Sequence, residues 1–322
     1  MSKLILGTRG SKLALTQSSM IAAQLRALHP GLEVELRIIS TKGDRILDVA
    51  LSAVGDKGLF VKELEQALLA NEVDFCVHSS KDLPSLVPDG LTLAAFPERA
   101  DPRDVIVTPA GAGAVTGLAD LRQGAVVGTS SLRRACQLRA LRPDLDLHDV
   151  RGNVDTRLRK LAEGQFEALV LASAGIIRLG LVGADGIVTS DGATFVAWPI
   201  PAELMLPAVT QGTLAIECRA DDAATLALLA PLDHAASRAT ALAERAFLRR
   251  LEGGCQVPIA AYAVIADDGL TLRGLVGSLD GMTVVRGTRA GTPADADALG
   301  TDLAEDLIAQ GASVILAELA SR

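Results

Sequence analysis

The sequence predicts an α/β protein with two doubly wound domains, followed by a smaller α+β C-terminal domain with a three-stranded antiparallel sheet. Along residues 3–95 and again along 105–171, short apolar runs alternate with helical patterns, an order that produces βαβ units. Beyond residue 257, three strand-like runs follow one another before two helical segments. The chain of 322 residues is long enough for two or three domains of ordinary size.

The first domain is predicted to occupy residues 1–99 and to regain a strand from residues 200–219. Ser11 is expected to cap its first helix, and a second helix is expected over 59–70. The glycine-dotted, charged segment 41–58 has weak periodicity and is interpreted as a mobile loop. The predicted strands of this domain are 3–7, 33–39, 74–78, 91–95 and 213–218.

A hinge is predicted at residues 97–102, which begin and end with proline. The second domain is expected at 103–195 with a parallel sheet, and the third at 222–322. Segment 183–201 shows little periodicity and receives no assignment. The predicted strands are 105–108, 125–128, 146–149 and 168–171 in the second domain, and 257–265, 270–279 and 283–288 in the third. Helices are predicted to start near 131, 153 and 173 and to cover most of 224–251, 295–310 and 312–319.

Composition excludes several classes of protein. No run of about 18 apolar residues is present, so no membrane span is expected, and the N-terminal residues do not resemble a signal peptide. The net charge of −8 argues against a general nucleic-acid binder. Four cysteines lie far apart without the spacing of a metal site, which predicts a reduced, cytoplasmic protein.

Basic residues are concentrated in one part of the chain. Residues 133–160 hold eight Lys or Arg and four Asp or Glu, although the whole chain is acidic. Four predicted strand ends carry cations beside glycine or hydroxyl residues, and they lie at 8–11, 79–82, 128–134 and 151–157. Ligands of open parallel sheets bind at such strand ends. This pattern indicates a specific site for a small polyanion, whereas solvated surface cations are the plainer alternative.

Two further residues could carry chemistry. Asp82 is a carboxylate among cations, and it is either a salt-bridge partner or a group that stabilises positive charge or moves a proton. Cys255 lies between a helical pattern and a strand, after two glycines that end the helix. It is either a small buried hydrophobic residue or a thiol that projects toward another domain.

The chain resembles the porphobilinogen deaminase family, which is also called the hydroxymethylbilane synthase family. The matching runs are TRGS at 8–11, KGLFVKELE at 57–65, VHSSKDLP at 77–84, GTSSLRR at 128–134, RGNV at 151–154, ASAG at 172–175, QG at 211–212 and GGCQVP at 253–258. They follow one another over nearly the whole chain. The chain departs from the family at Thr16, often tryptophan, at Thr210, usually glycine, and in the longer stretch 183–201.

The resemblance implies two domains like those of periplasmic binding proteins, joined by two crossings, and a third domain that carries the cofactor. It implies a cytoplasmic, monomeric transferase that joins four porphobilinogen molecules with loss of ammonia to give hydroxymethylbilane. Its cofactor would be a dipyrromethane held through a thioether to Cys255. No metal, nucleic acid or membrane partner is implied.

The resemblance also assigns roles to residues. Asp82 is expected to be the catalytic carboxylate. If replacement of Asp82 shows it to be structural, the next candidates are Asp44 and Asp48 in the predicted mobile loop. Replacing Arg133 or Arg134 by Leu is expected to impair cofactor assembly or elongation with little loss of melting temperature. The cofactor-binding residues are expected to be Cys255, Lys81, Arg133, Arg134, Ser131, Thr129 and Arg157. The substrate-binding residues are expected to be Arg9, Ser11, Gln17, Lys57, Phe60, Arg151 and Arg178.

Two other classes of protein remain open. A solute-binding protein would share the paired-domain architecture, but it requires export and leaves Cys255 without a role. A cysteine acyltransferase would use Cys255 as nucleophile beside a histidine base, and no histidine lies near it in sequence. The intact mass of the purified protein separates the three, because only the deaminase carries two covalently bound pyrrole units.

Overall fold

The computed structural model describes residues 3–45, 58–111, 116–183, 186–251 and 257–320. The strands in these ranges are β1 (Lys3–Thr8), β2 (Glu33–Ile38), β3 (Phe75–Ser79), β4 (Leu91–Ala95), β5 (Asp104–Pro109), β6 (Val126–Gly128), β7 (Asp146–His148), β8 (Ala168–Ala172), β9 (Ile187–Ser190), β10 (Ala193–Pro199), β11 (Leu214–Arg219), β12 (Ile259–Ala266), β13 (Gly269–Gly277) and β14 (Val284–Gly291). The helices are α1 (Lys12–Leu28), α2 (Lys42–Arg45), α3 (Lys62–Leu69), α4 (Leu132–Leu141), α5 (Val154–Ala162), α6 (Ser173–Arg178), α7 (Ala223–Leu229), α8 (Ala235–Arg250), α9 (Ala296–Leu307) and α10 (Ser313–Ala320). None of these helices has the length and apolar character needed to cross a membrane.

The first sheet has the strand order β2-β1-β3-β11-β4. Strands β1, β2 and β3 are parallel, whereas β11 returns from the far side of the chain and pairs antiparallel with β3 and β4. The predicted return of a late strand to the first domain is confirmed. Leu6, Phe75 and Ile216 are buried in the core beneath α1.

The helices of the first sheet follow the sequence pattern with one shift. Ser11 caps α1 as predicted, because its hydroxyl accepts a hydrogen bond from the Ala14 amide at 3.3 Å. The predicted helix over 59–70 begins only at Lys62. Residues 58–61 instead form a turn, in which the Val61 amide donates to the Gly58 carbonyl.

The second sheet has the order β7-β6-β8-β5-β10-β9, and it corrects the expectation of a parallel sheet. Strands β6, β7 and β8 are parallel, but β5 pairs antiparallel with β8 and β10, and β10 pairs antiparallel with β9. The unassigned stretch 183–201 contains the β9–β10 hairpin. Its turn residues Asp191 and Gly192 have φ of 48° and 79°, the geometry of the Asp-Gly type I′ turn. The Asp-Gly dipeptide is therefore the sequence pattern that indicates this hairpin.

The third sheet is antiparallel in the order β12-β13-β14, as predicted. Helices α8 and α9 cover one face of it, and Phe247, Leu272 and Leu303 are fully buried between the layers. The two helices approach closely at Gly300, where an added Cβ would lie 2.2 Å from the Ala243 carbonyl oxygen. The α/β fold class with a smaller α+β region is therefore confirmed, whereas the predicted domain limits stay a prediction.

A buried carboxylate joins the third sheet to the two segments in which the chain crosses between the first two sheets. Glu244 of α8 accepts hydrogen bonds from Arg99 at 2.7 Å, from the Ala263 amide at 2.8 Å and from the Thr210 amide at 2.5 Å. Arg99 precedes the first crossing, and Thr210 lies in the second. Thr210 has φ of +57°, a left-handed conformation that branched side chains rarely adopt and glycine adopts freely.

Candidate active site

The predicted site lies where the first two sheets meet. The N-terminal turns of α1, α5 and α6 come together there. The Lys12 ammonium is 3.7 Å from the Asp155 carboxylate, and Leu13 packs beside Gly175. Strands β1, β3 and β6 end at the loops that carry the predicted site residues. The structure thus brings hydroxyl-rich loops of two sheets to one cleft, as expected for ligands at strand ends.

Asp82 lies in a single 3₁₀ turn, Ser80–Asp82, directly after β3. The turn is held at both ends, because the Ser80 amide donates to the Thr213 carbonyl at 3.0 Å and the Leu83 amide donates to the Ser80 carbonyl at 3.2 Å. The Asp82 carboxylate is partly buried. Among the described residues it forms no hydrogen bond and no ion pair within 4 Å, so the salt-bridge alternative gains no support.

Lys81 points into the same region and is only weakly bonded. Its ammonium reaches the Gln211 side-chain oxygen at 3.5 Å. Burial lowers the pKa of Lys81 to about 8, Asp82 opposes this shift, and the neighbouring Arg134 adds to it. Such a cation is stabilised when a carboxylate comes beside it.

The first loop places Arg9 near an aromatic ring. The Arg9 guanidinium stacks over Phe60, 4.2 Å from the ring centroid, a cation–π contact. Gln17 is buried, and its amide donates to the Ser79 hydroxyl at 3.0 Å, so it links α1 to the end of β3. Ser11 is occupied as the cap of α1. Arg9 and Phe60 are therefore placed together, whereas Gln17 and Ser11 also stabilise the local fold.

Arg133 and Arg134 are buried and bonded inside the protein. Both guanidinium groups bind the Asp104 carboxylate at 2.7 Å, and they also donate to the carbonyls of Leu206 and Val170 at 2.8 Å. Burial alone would raise the pKa of Asp104, but the two arginines hold it well below its usual range. The expectation that these arginines leave stability nearly unchanged is thus corrected, because their loss would leave Asp104 poorly neutralised. Their role toward the cofactor stays a prediction.

Sequence reasoning missed Asp104. It is the first residue of β5, two residues after the predicted hinge, and it also accepts a hydrogen bond from the Gln211 side-chain amide at 2.9 Å. A fully buried aspartate is rare unless it is paired. An acidic residue at the start of an apolar strand, in a chain with a basic segment elsewhere, is the sequence pattern that could have indicated this buried pair.

Three cations of the site have no ion pair with an acidic side chain within 4 Å in the part of the chain that is described: Lys81, Arg157 and Arg178. Arg157 donates to the Gly152 carbonyl at 2.8 Å, and Arg178 donates to the Gly212 carbonyl at 2.6 Å. Burial lowers the pKa of both arginines to about 10, and nearby Arg134 and Arg151 add to the shift at Arg157. We call these three residues the open cations.

The remaining predicted residues divide into three groups. Arg151 reaches Asp149 only loosely, at 3.8 Å. Ser131 caps α4 by accepting from the Arg134 amide at 3.4 Å, and the Thr129 hydroxyl accepts from the Ser131 amide at 3.3 Å. The predicted residues Cys255, Lys57 and Asp48 lie outside the described residues, and Asp44 falls in α2.

Comparison with known proteins covers nearly the whole chain. The family model "Porphobilinogen deaminase, dipyromethane cofactor binding domain" matches residues 4–227, and "Porphobilinogen deaminase, C-terminal domain" matches residues 238–309. The porphobilinogen deaminase of Roseiflexus sp. (strain RS-1) is 54% identical over 314 residues, which cover 98% of each chain. That of Brevibacillus brevis is 52% identical over 320 residues, which cover 99% of this chain and 98% of its own.

Solved structures give a weaker likeness. The periplasmic aliphatic sulphonate binding protein SsuA from Escherichia coli matches with a TM-score of 0.41 and 14% identity, over 78% of this chain and 71% of that one. At this level the likeness supports no functional argument.

Proposed function

The chain belongs to the porphobilinogen deaminase family, and we propose from its site that it joins four porphobilinogen molecules head to tail, releasing ammonia, to give hydroxymethylbilane. The observation that carries this proposal is a partly buried carboxylate without an ion-pair partner among the described residues, Asp82, beside the open cations. A substrate with several carboxylates would bind the open cations, and a positive charge that develops on its reacting carbon would be stabilised by Asp82.

The open cations are proposed to bind acetate and propionate groups. Arg157 and Arg178 present guanidinium groups that can bind a carboxylate with two parallel hydrogen bonds, and Lys81 adds a compact charge. Their partial burial makes each contact stronger than it would be in bulk water. Arg9, stacked on Phe60, is proposed to bind a further carboxylate of the substrate.

Asp82 is proposed to be the catalytic carboxylate. As ammonia leaves porphobilinogen, positive charge develops on the pyrrole and its methylene carbon. A nearby carboxylate stabilises this charge in the transition state more than in the bound substrate, which lowers the barrier. Because the Asp82 oxygens accept no hydrogen bond from described residues, they are available to the substrate.

The same residues fit a dipyrromethane cofactor, since a polycarboxylate satisfies cations that lack acidic partners in the described part of the chain. When bound, the group supplies the free pyrrole α-carbon to which the next unit is added. Lys81, Arg157 and the helix-cap residues Ser131 and Thr129 would hold its carboxylates, and Cys255 would hold the group covalently.

We further propose that the protein acts as a monomer in the cytoplasm. The cysteines within the described ranges, Cys76, Cys136 and Cys218, are buried free thiols, which fits a reducing compartment.

The decisive experiment compares Asp82→Asn with Asp82→Glu in single-turnover measurements on holoenzyme. Asn removes the charge, whereas Glu keeps it and moves it by about 1 Å, a displacement that costs about a hundredfold. We expect Asn to be far slower than Glu in the chemical step while porphobilinogen still binds. Equal rates for the two variants would make Asp82 a structural residue.

The attachment site is tested by mass spectrometry. Cys255→Ser is expected to give a folded protein without the mass of two pyrrole units and without activity. Peptide mapping of the unsubstituted protein should locate the adduct on Cys255. An adduct on Cys76, Cys136 or Cys218 would refute this assignment.

A further inference from the structure

A buried contact between a histidine and a glutamate lies beneath the Asp82 turn and has no part in the mechanism described above. His78, on β3, and Glu217, on β11, approach to 3.0 Å between the imidazole Nε2 and a carboxylate oxygen. The side chain of His78 is 4% exposed and that of Glu217 is fully buried. In the strand register Glu217 is opposite Cys76, so His78 and Glu217 are diagonal neighbours on one face of the sheet.

The buried carboxylate of Glu217 lacks the hydrogen bonds that usually stabilise a buried acid. Neither carboxylate oxygen has a well-aligned hydrogen-bond donor among the described residues. Buried carboxylates normally have such donors, because desolvating a charge without compensation is costly. This fully buried acid contacts His78, four residues before the proposed catalytic carboxylate Asp82, which indicates a role beyond filling the core.

Charged and titratable groups from each neighbouring element face this pair. Helix α3 contributes Glu65, whose pKa is raised by burial and by Glu217, with Lys62 beside it. Strand β3 contributes Cys76, whose pKa is raised by burial and by Glu217. Helix α8 contributes Arg245, which interacts electrostatically with Glu217.

Arg245 holds the chain just beyond the catalytic turn. Its guanidinium donates to the carbonyls of Pro84 at 2.8 Å and Ser85 at 3.2 Å. Arg245 is 5% exposed. The segment that contains Asp82 is therefore held on its C-terminal side by Arg245, and on its N-terminal side it follows His78, which contacts Glu217.

We propose that Glu217 is a positioning residue, which acts through His78 to hold the Ser80–Asp82 turn where Asp82 meets the developing charge. The proposal rests on the catalytic role proposed for Asp82. Glu217 touches neither substrate nor cofactor in this account. Its carboxylate contacts the imidazole two residues before the turn, and Arg245 holds the carbonyls of Pro84 and Ser85 after it, so the turn cannot shift without disturbing one of these contacts.

The test uses holoenzyme carrying Glu217→Gln, which keeps the shape and removes the charge. We expect the single-turnover rate to fall by about tenfold or more, with the KM for porphobilinogen within about twofold, because the misplaced group matters in the transition state. The Leu83 amide, which closes the turn on Ser80, should exchange its hydrogen at least several times faster.

Val77→Ala is the matched control. Val77 precedes His78 but faces the opposite side of the sheet, where it is buried against the core beneath α1. It should lower the melting temperature without changing the rate or the exchange of the Leu83 amide. If Glu217→Gln slows turnover and speeds the exchange of the Leu83 amide no more than Val77→Ala does, Glu217 is merely structural and the proposal is wrong.

Two further variants keep the result interpretable. His78→Gln carries the same test if Glu217→Gln does not fold, and the double variant should lose little more than the worse single variant, because the two residues act together. If Asp82→Asn leaves the chemical step unchanged, the catalytic role of Asp82 fails. The exchange of the Leu83 amide then still decides whether Glu217 holds the turn.

Discussion

The Arg133–Arg134 pair shares its sequence pattern with two of the open cations, Lys81 and Arg157, but the environments are opposite. All four residues follow strand ends beside glycine or hydroxyl residues, whereas Arg178 is the last residue of α6. The pair is neutralised by Asp104 and bonded to backbone carbonyls, whereas the open cations have only amide or carbonyl partners among the described residues. A cation at a strand end therefore identifies a ligand site only when no carboxylate from a distant element satisfies it.

The two sets also suggest a division of labour. The pair and Asp104 fix the N-terminus of α4 against β5, which holds the second sheet in shape. The open cations are held in place by single hydrogen bonds and retain unused donors. A preorganised site needs both, since ligand-binding charges are effective only on a rigid support.

The largest expected effect comes from Asp104→Asn, which leaves two buried guanidinium groups facing a neutral amide. We expect a loss of about 3–5 kcal/mol in the free energy of unfolding, typical of breaking a buried pair. Urea unfolding followed by the fluorescence of Trp198, on β10, measures it, because Trp198 is the one tryptophan of the chain.

Glu167→Gln is the control for that experiment. Glu167 pairs with Arg122 at the surface, so we expect a change of at most about 1 kcal/mol. A similar loss in both variants would mean that the Asp104 pairs contribute no more than surface ones.

An intermediate effect is expected from comparing Arg134→Leu with Arg157→Leu. Arg134→Leu should lower the free energy of unfolding by about 3 kcal/mol, because the buried Asp104 loses a partner. Arg157→Leu should lower the free energy of unfolding by less than about 1 kcal/mol, since Arg157 has no acidic partner among the described residues. The same substitution should impair cofactor assembly. Thermal unfolding and the fraction of protein that carries the adduct are the two measurements. If the two variants lose stability equally, the distinction between the sets disappears.

The smallest effect is a pH-dependent gain from Lys81→Met in a Cys255→Ser background, which should lack the cofactor. The pKa of Lys81 is about 8 in the folded protein against an ordinary 10.5, so between these values the unfolded chain binds more protons and stability rises with pH. The cost of the buried ammonium is thus fully present below pH 8.

Removing Lys81 should therefore stabilise the protein at pH 7 by about 1 kcal/mol, a value reduced for partial exposure. The gain should shrink as pH rises through 8 toward 10.5. Urea midpoints at pH 7 and about pH 9.5 test this. A gain that does not depend on pH would show that Lys81 is not a strained cation.

Much of the fold followed from local pattern. Apolar runs placed β1, β3 and β8 within one or two residues, because buried strands read as continuous hydrophobic segments. The β9–β10 hairpin was not predicted because its strands are short and partly exposed. The predicted strand direction in the second sheet was wrong because the order of strands along the chain does not determine which strands pair.

The site was less predictable than the fold. Local sequence brought Lys81 and Asp82 together because they are adjacent. The partner of Arg133 lies 29 residues away, that of Arg99 lies 145 residues away and that of His78 lies 139 residues away by number. Such pairs depend on how strands are ordered in the sheet, and one sequence read alone contains no direct signal for that order.

The contact of Glu244 with both crossings has a mechanical consequence. Any rotation of the first two sheets about the crossings must turn the Arg99 and Thr210 ends of its bonds, and so apply torque to α8. Glu244 lies about 9 Å along the helix axis from the last residue of α8, Arg250. Glu244 therefore couples α8 mechanically to both crossings between the first two sheets.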